Sequence, residues 1–195
     1  MHGLINRGIQ RFVTDSYGQE RWTEVTRLAG LDFVEFEAML IYDDDVTNRL
    51  LKAACNVLDR ALLDLMEDLG TYLVSHPNVE ALRRLLRFGG VNFVEFLHSL
   101  DDLPDRARLA VSDLVIPELE LHEHCNGRFE LICESPIEGC GHVLMGALRV
   151  MADDYGTLAY LEHTESRKGF ETISITLIEA EFAEGRHFDL GAGAI

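Results

Sequence analysis

Apolar positions recur at three- and four-residue steps through most of the first hundred residues, which predicts a run of amphipathic helices. Ile5, Ile9, Phe12 and Val13 share one face of a helix from about Leu4 to Tyr17, and Gly18 ends it. Trp22, Val25 and Leu28 mark a second helix, stopped at Ala29-Gly30. Val46 to Leu69 reads as one long helix that buries Leu50, Leu51, Ala54, Leu58, Leu62 and Leu65; Gly70 interrupts it and Tyr72-Leu73-Val74 extends it. Pro77-Asn78 opens another through Ala81, Leu82, Leu85 and Leu86, closing at Gly89-Gly90.

Two segments echo each other: Gly30-Leu31-Asp32-Phe33-Val34-Glu35-Phe36 and Gly90-Val91-Asn92-Phe93-Val94-Glu95-Phe96. Each sets an Asx cap after glycine and a glutamate three residues later, so both read as helix restarts with a capping box. In the second, Phe93, Phe96, Leu97 and Leu100 line one helix face that heads towards Pro104, which biases Leu103 away from helix.

Beyond Pro104 the period shortens to two. Val115 to His124 and Arg128 to Glu134 alternate, and the Asn126-Gly127 between them is a strong hairpin signal. Ile137 to Tyr155 returns to helix, then Thr157 to His163 and Glu171 to Ile178 read as two more strands. Helices, hairpin, helix, hairpin: the fold class is α+β, an N-terminal helical lobe packed on a C-terminal lobe with a small antiparallel sheet. The division is one domain over 1–195, with a helical lobe at about 1–90, an α/β lobe at about 91–190 and a Gly-Ala tail at 191–195.

The formal net charge of −17 argues against nucleic acid or anionic membrane as partner, since both need a basic footprint. No apolar run reaches membrane-spanning length and the N-terminus lacks a signal-peptide core, so the expected compartment is cytoplasmic. Tyr42-Asp43-Asp44-Asp45 reads as an acidic helix start, without the oxygen-ligand spacing of a cation site. The sequence carries no nucleophile–base motif and no phosphate loop, so it is not read as an enzyme.

Metal chemistry has one candidate cluster: His122, His124, Cys125, Cys133, Cys140 and His142 crowd into a short stretch. With a two-residue turn at Asn126-Gly127, His122 and His124 share a sheet face with Cys133. Two readings stand: a zinc site, or ordinary strand residues with a redox-responsive thiol.

The chain also resembles the haem nitric oxide/oxygen binding (H-NOX) family over nearly its whole length. The matches are Met1-x-Gly3, Phe12 to Gly18, Trp22, Ala29-Gly30-Leu31, Tyr42-Asp43-Asp44, Leu69-Gly70-x-Tyr72, Leu85-Leu86 and Leu100-Asp101-Asp102-Leu103. The resemblance implies a haem-based gas-sensing domain that signals through movement of one lobe against the other. It also implies a signalling protein partner such as a histidine kinase or cyclase; the oligomeric state stays open. In the family a histidine after the Leu-Asp-x-Leu stretch is the proximal iron ligand, and a Tyr-x-Ser-x-Arg motif pairs with the haem propionates. Here those positions are Pro104 and Cys133, Ser135 and Ile137, followed by a matching Glu138-Gly139. The resemblance puts Ile5, His142 and Val143 at the pocket lining, Val143 where oxygen-binding members carry a tyrosine. The expectation is therefore a member that does not bind haem conventionally. The alternative is a haem-free scaffold, or a redox- or zinc-responsive interaction protein.

Overall fold

The computed structural model describes residues 1–167 and 169–186; the tail expected at 191–195 lies outside the described residues. In chain order the elements are α1 (Gly3–Tyr17), α2 (Gln19–Leu28), α3 (Asp44–Leu58), α4 (Leu62–Ser75), a single 3-10 turn (Pro77–Val79), α5 (Glu80–Arg87), α6 (Phe93–His98), α7 (Leu103–Ala110), β1 (Glu118–His124), β2 (Arg128–Glu134), α8 (Cys140–Tyr155), β3 (Leu158–Arg167) and β4 (Phe170–Glu179). The four strands form one antiparallel sheet in the order β1-β2-β4-β3, as the α+β reading requires.

Two apolar cores form. One gathers Phe12, Val13, Trp22, Val25, Leu50, Ala54 and Leu65 among α1–α4. The other packs Phe93, Phe96 and Leu97 of α6 and Leu148 and Met151 of α8 onto Phe129, Leu131, Ile173 and Ile175 of the central strands. Alternation along β2 and β4 turns these residues to one sheet face.

Four expectations need correction. The long helix over 46–69 is two helices, because Asp59 takes a left-handed backbone (φ 51°, ψ 49°) that ends α3. Aspartate tolerates that conformation better than most residues, but without a glycine or proline nearby the break leaves little trace in the pattern. Gly70, expected to interrupt, sits inside α4. The first of the echoed segments does not restart a helix: residues 32–36 are irregular, with the Trp22 indole donating to the Val34 carbonyl at 2.6 Å and the Phe36 amide donating to Gln10 Oε1 at 2.9 Å. Long-range bonds there override the local capping signal. Finally, Leu103 is helical: it opens α7 with Pro104 as the next residue. In the first turn of a helix the missing proline N–H has no partner to lose.

Candidate functional site

The second echoed segment does form its capping box. The Glu95 amide donates to Asn92 Oδ1 at 2.9 Å, and Glu95 Oε2 accepts from the Val91 amide at 3.0 Å. α6 then presents Phe93, Phe96 and Leu97 to the sheet, and Leu100 is buried behind them. The turn into α7 is pinned on three sides. Asp101 Oδ1 accepts from the Leu121 amide of β1, the Leu103 amide donates to the Leu100 carbonyl, and Arg106 donates to the Ser99 carbonyl. These bonds hold Pro104 buried at the second position of α7, where its side chain offers neither donor nor acceptor. His98 points elsewhere: it is exposed and 3.2 Å from Glu123.

β2 ends inside the molecule. Cys133 is completely buried and Ser135 nearly so. The Ser135 amide donates to the Gly169 carbonyl at 3.0 Å, and its Oγ accepts from the Ile137 amide at 3.1 Å, so the chain is folded sharply into α8. Gly139, at φ 79°, is the N-cap, and Cys140 is the first residue of the helix. There the buried Cys133 and Cys140 share one apolar core, with their thiols and the Ser135 hydroxyl near enough to influence one another. The two thiols are driven apart in acidity. Donation to Cys140 and burial push the Cys133 thiol up; the bonds from Cys133 and Ser135 pull the Cys140 thiol down against its own burial. The loop 135–139 borders a cavity of about 700 Å³ that Asn48, Lys52, Leu63, His163 and Glu171 also line. Ile137 is half-buried and packs against the helical core.

On the far side, α4 and α8 cross with their backbones in contact. A Cβ on Gly70 would stand 1.9 Å from the Val143 carbonyl oxygen, and one on Gly146 would stand 2.1 Å from that of Glu67. The Val143 backbone thus lies directly on α4 and its side chain joins the helical core. His142, next to it, lies with its ring 4.3 Å from that of His163, and His163 Nε2 is 2.7 Å from Glu171 Oε2. Burial and the neighbouring His163 hold the His142 imidazole below its usual range, and its Nε2 is buried without a hydrogen-bond partner among the described residues. Ile5 is half-buried on α1.

The candidate metal cluster does not assemble. His124 pairs with Arg128 and His122 with Glu130, so the hairpin loop is Cys125-Asn126-Gly127, three residues with left-handed Asn126 (φ 65°) and Gly127 (φ 67°). The hairpin stands where Asn126-Gly127 predicts it. The extra loop residue moves the register by one from the expected pairing, which turns every side chain over. His122 and His124 therefore stand on the exposed face beside Glu120 and Glu130, and Cys125 is exposed at the tip. Cys133 faces inward opposite Leu119, with Cys140. Among the described residues no group of three or more His, Cys, Asp or Glu is disposed to hold a metal ion. The neighbours that sequence reasoning missed are His163 and Glu171. The signal for them is the second hairpin, which returns β4 beside β2 and pairs Glu171 with Cys133.

The Haem-NO-binding family model matches residues 2–163. Soluble guanylate cyclase gcy-31 of Caenorhabditis elegans is 24% identical over 154 residues, covering 79% of this chain and 22% of that protein. Soluble guanylate cyclase gcy-35 of the same organism is 29% identical over 104 residues, covering 53% of this chain and 15% of that protein. The chain thus spans less than a quarter of the length of the curated relatives it matches. Among solved structures, the Fe(II) unliganded H-NOX protein from K. algicida superposes with a TM-score of 0.78 at 16% identity, covering 97% of this chain and 100% of that one. A mutant H-NOX protein from S. oneidensis in the Fe(II) ligation state superposes with a TM-score of 0.77 at 16% identity, covering 93% of this chain and 98% of that one.

Proposed function

Because the chain belongs to the Haem-NO-binding family, we propose that it is a sensory module of a signalling system whose pocket no longer grips haem in the family's manner. It spans one domain, helical lobe to about residue 90 and α/β lobe beyond, and acts on a signalling protein such as a kinase or cyclase rather than by catalysis of its own. The relatives it matches are guanylate cyclases, which supports a role of that kind. The formal charge of −17 disfavours nucleic acid and anionic lipid as partners, and no helix among the described residues is long and apolar enough to cross a membrane.

The observation that carries this reading is the buried Pro104. The family resemblance assigns the iron ligand to this position, and the turn that delivers it is well pinned, yet proline has no lone pair to give iron. The residues assigned to the propionates fit no better. Cys133 is occupied with Cys140, and the half-buried Ile137 supplies no cation for two carboxylates, so their charge would go uncompensated. His142 carries a free buried nitrogen, but its ring is held against His163. The residues present do not fit a haem held in the family's way. A second reading, a haem-free scaffold, is favoured by the backbone contact of α4 with α8 at Val143.

Restoring the lost groups tests the proposal. The triple change Pro104→His, Cys133→Tyr, Ile137→Arg is expected to raise haem affinity at least about tenfold above the native chain, by returning both iron ligation and propionate pairing. Pro104→His alone is expected to return less. A folded triple variant that binds no haem would contradict a retained pocket and favour the scaffold. Should Cys133→Tyr prevent folding, Pro104→His with Ile137→Arg answers the same question in a haem titration followed by absorbance.

A further inference from the structure

Cys133 and Cys140 are two free thiols, 0% and 8% exposed, buried in one apolar core where β2 turns into α8. Cys133 occupies the position that the family resemblance gives to a propionate-binding tyrosine, and its thiol points at a second thiol instead. Cys140 is the first residue of a 16-residue helix, where unpaired backbone N–H groups favour a thiolate. Ser135 reaches the same sulfur and lines the neighbouring cavity, as does Gly139. The other cysteines stand apart: Cys125 is at the exposed hairpin tip, and burial pushes the Cys55 thiol up.

We infer that Cys133 and Cys140 form a dithiol site that a small peroxide oxidises to an internal disulfide. This rests on the reading that the site holds no haem, and it gives that site a signal of its own. Cys140 is the nucleophile. Its sulfur attacks one oxygen of hydrogen peroxide, the O–O bond breaks, and hydroxide leaves with the Cys140 proton as water. Cys140 is then a sulfenic acid. The Cys133 sulfur attacks the Cys140 sulfur, the S–O bond breaks, and hydroxide leaves with the Cys133 proton as a second water. Two thiols are oxidised and one peroxide is reduced. The low exposure of Cys140 selects a small uncharged oxidant over a bulky disulfide, and the contact between the thiols makes the second step intramolecular. The new bond would tie the end of β2 to the start of α8 across the loop that borders the cavity.

Trypsin separates the cysteines cleanly. Cys133 and Cys140 fall together in residues 129–149, Cys125 falls in 109–128 and Cys55 in 53–60. The reduced full-length protein is treated with hydrogen peroxide, denatured, alkylated with N-ethylmaleimide, digested and weighed. Peptide 129–149 is expected to pass from two labels to none, two hydrogens lighter, without a one-label form accumulating, and to regain both labels after dithiothreitol. Cys55 keeps its label. In Cys133→Ser, Cys140 is expected to stop at a sulfenic acid that dimedone traps; if that variant does not fold, the native map alone decides. Retention of both labels on 129–149 after Cys125 has been consumed would overturn the inference, and so would a Cys140–Cys125 link. An absorbance titration with haem on the reduced sample reports separately: tight haem binding overturns the functional reading whatever the thiols do.

Discussion

Gly70→Ala is expected to lower the melting temperature steeply, by roughly 6–12 °C for about 3 kcal/mol lost. In an ordinary helix interior the change stabilises, because alanine gains about 0.5–1 kcal/mol over glycine through backbone entropy and propensity. At Gly70 the new methyl would stand 1.9 Å from the Val143 carbonyl oxygen and 2.7 Å from its carbon, so a backbone rather than a flexible side chain must yield. α4 and α8 would have to separate, opening both cores at once. Gly8 provides the control. It lies within α1 with nothing among the described residues within 4 Å of an added Cβ, so Gly8→Ala is expected to raise stability by about 0.5–1 kcal/mol. Thermal unfolding of the two variants beside the native chain checks the pair. An unchanged or raised melting temperature for Gly70→Ala would mean that the helices do not touch as described.

Arg83→Met is expected to cost about 3–5 kcal/mol, equivalent to roughly 6–20 °C of melting temperature. Arg83 of α5 grips Asp154 of α8 through two bonds, Nε to Oδ2 at 2.6 Å and Nη2 to Oδ1 at 2.5 Å. The Asp154 side chain is 2% exposed, so removing its partner strands a carboxylate in the core. The Arg186 guanidinium is largely exposed and stands 3.9 Å from Asp154 Oδ1, so it is a weak substitute. Arg83→Met combined with Asp154→Leu is expected to recover most of the loss, since a buried pair replaced by apolar groups of like volume is close to neutral. Denaturant unfolding of both variants measures it, and a single variant within about 0.5 kcal/mol of native would refute the buried pair.

Much of this fold is legible in the local signals of the chain. The capping box at Asn92–Glu95, the left-handed pair Asn126-Gly127 and the strand alternation of Phe129, Leu131 and Cys133 are local signals, and each forms its element. The failures share a cause, namely contacts distant in sequence. Asp32–Phe36 carries the same local code as Asn92–Phe96, but Trp22 and Gln10 take its backbone groups. Gly70 reads as a helix breaker because only the arrival of α8 gives it a purpose. One additional loop residue before Arg128 sends His122 and His124 away from Cys133, and no propensity reports a one-residue register. The candidate site shows the same division. The residue types at Pro104 and Ile137, on which the proposed loss of haem chemistry rests, are visible in the sequence. The Cys133–Cys140 contact and the His142–His163–Glu171 grouping depend on how strands and helix return.

This family member is proposed not to hold haem through the usual ligands. The most direct measurement is the absorbance spectrum of the native protein, reduced, as haem is titrated into it under anaerobic conditions. No spectrum of five-coordinate, histidine-ligated ferrous haem is expected at any haem concentration, because Pro104 supplies no nitrogen and Ile137 no cation. A saturating, one-to-one band of that kind would contradict it, and its loss in His142→Ala would show which residue had taken the iron.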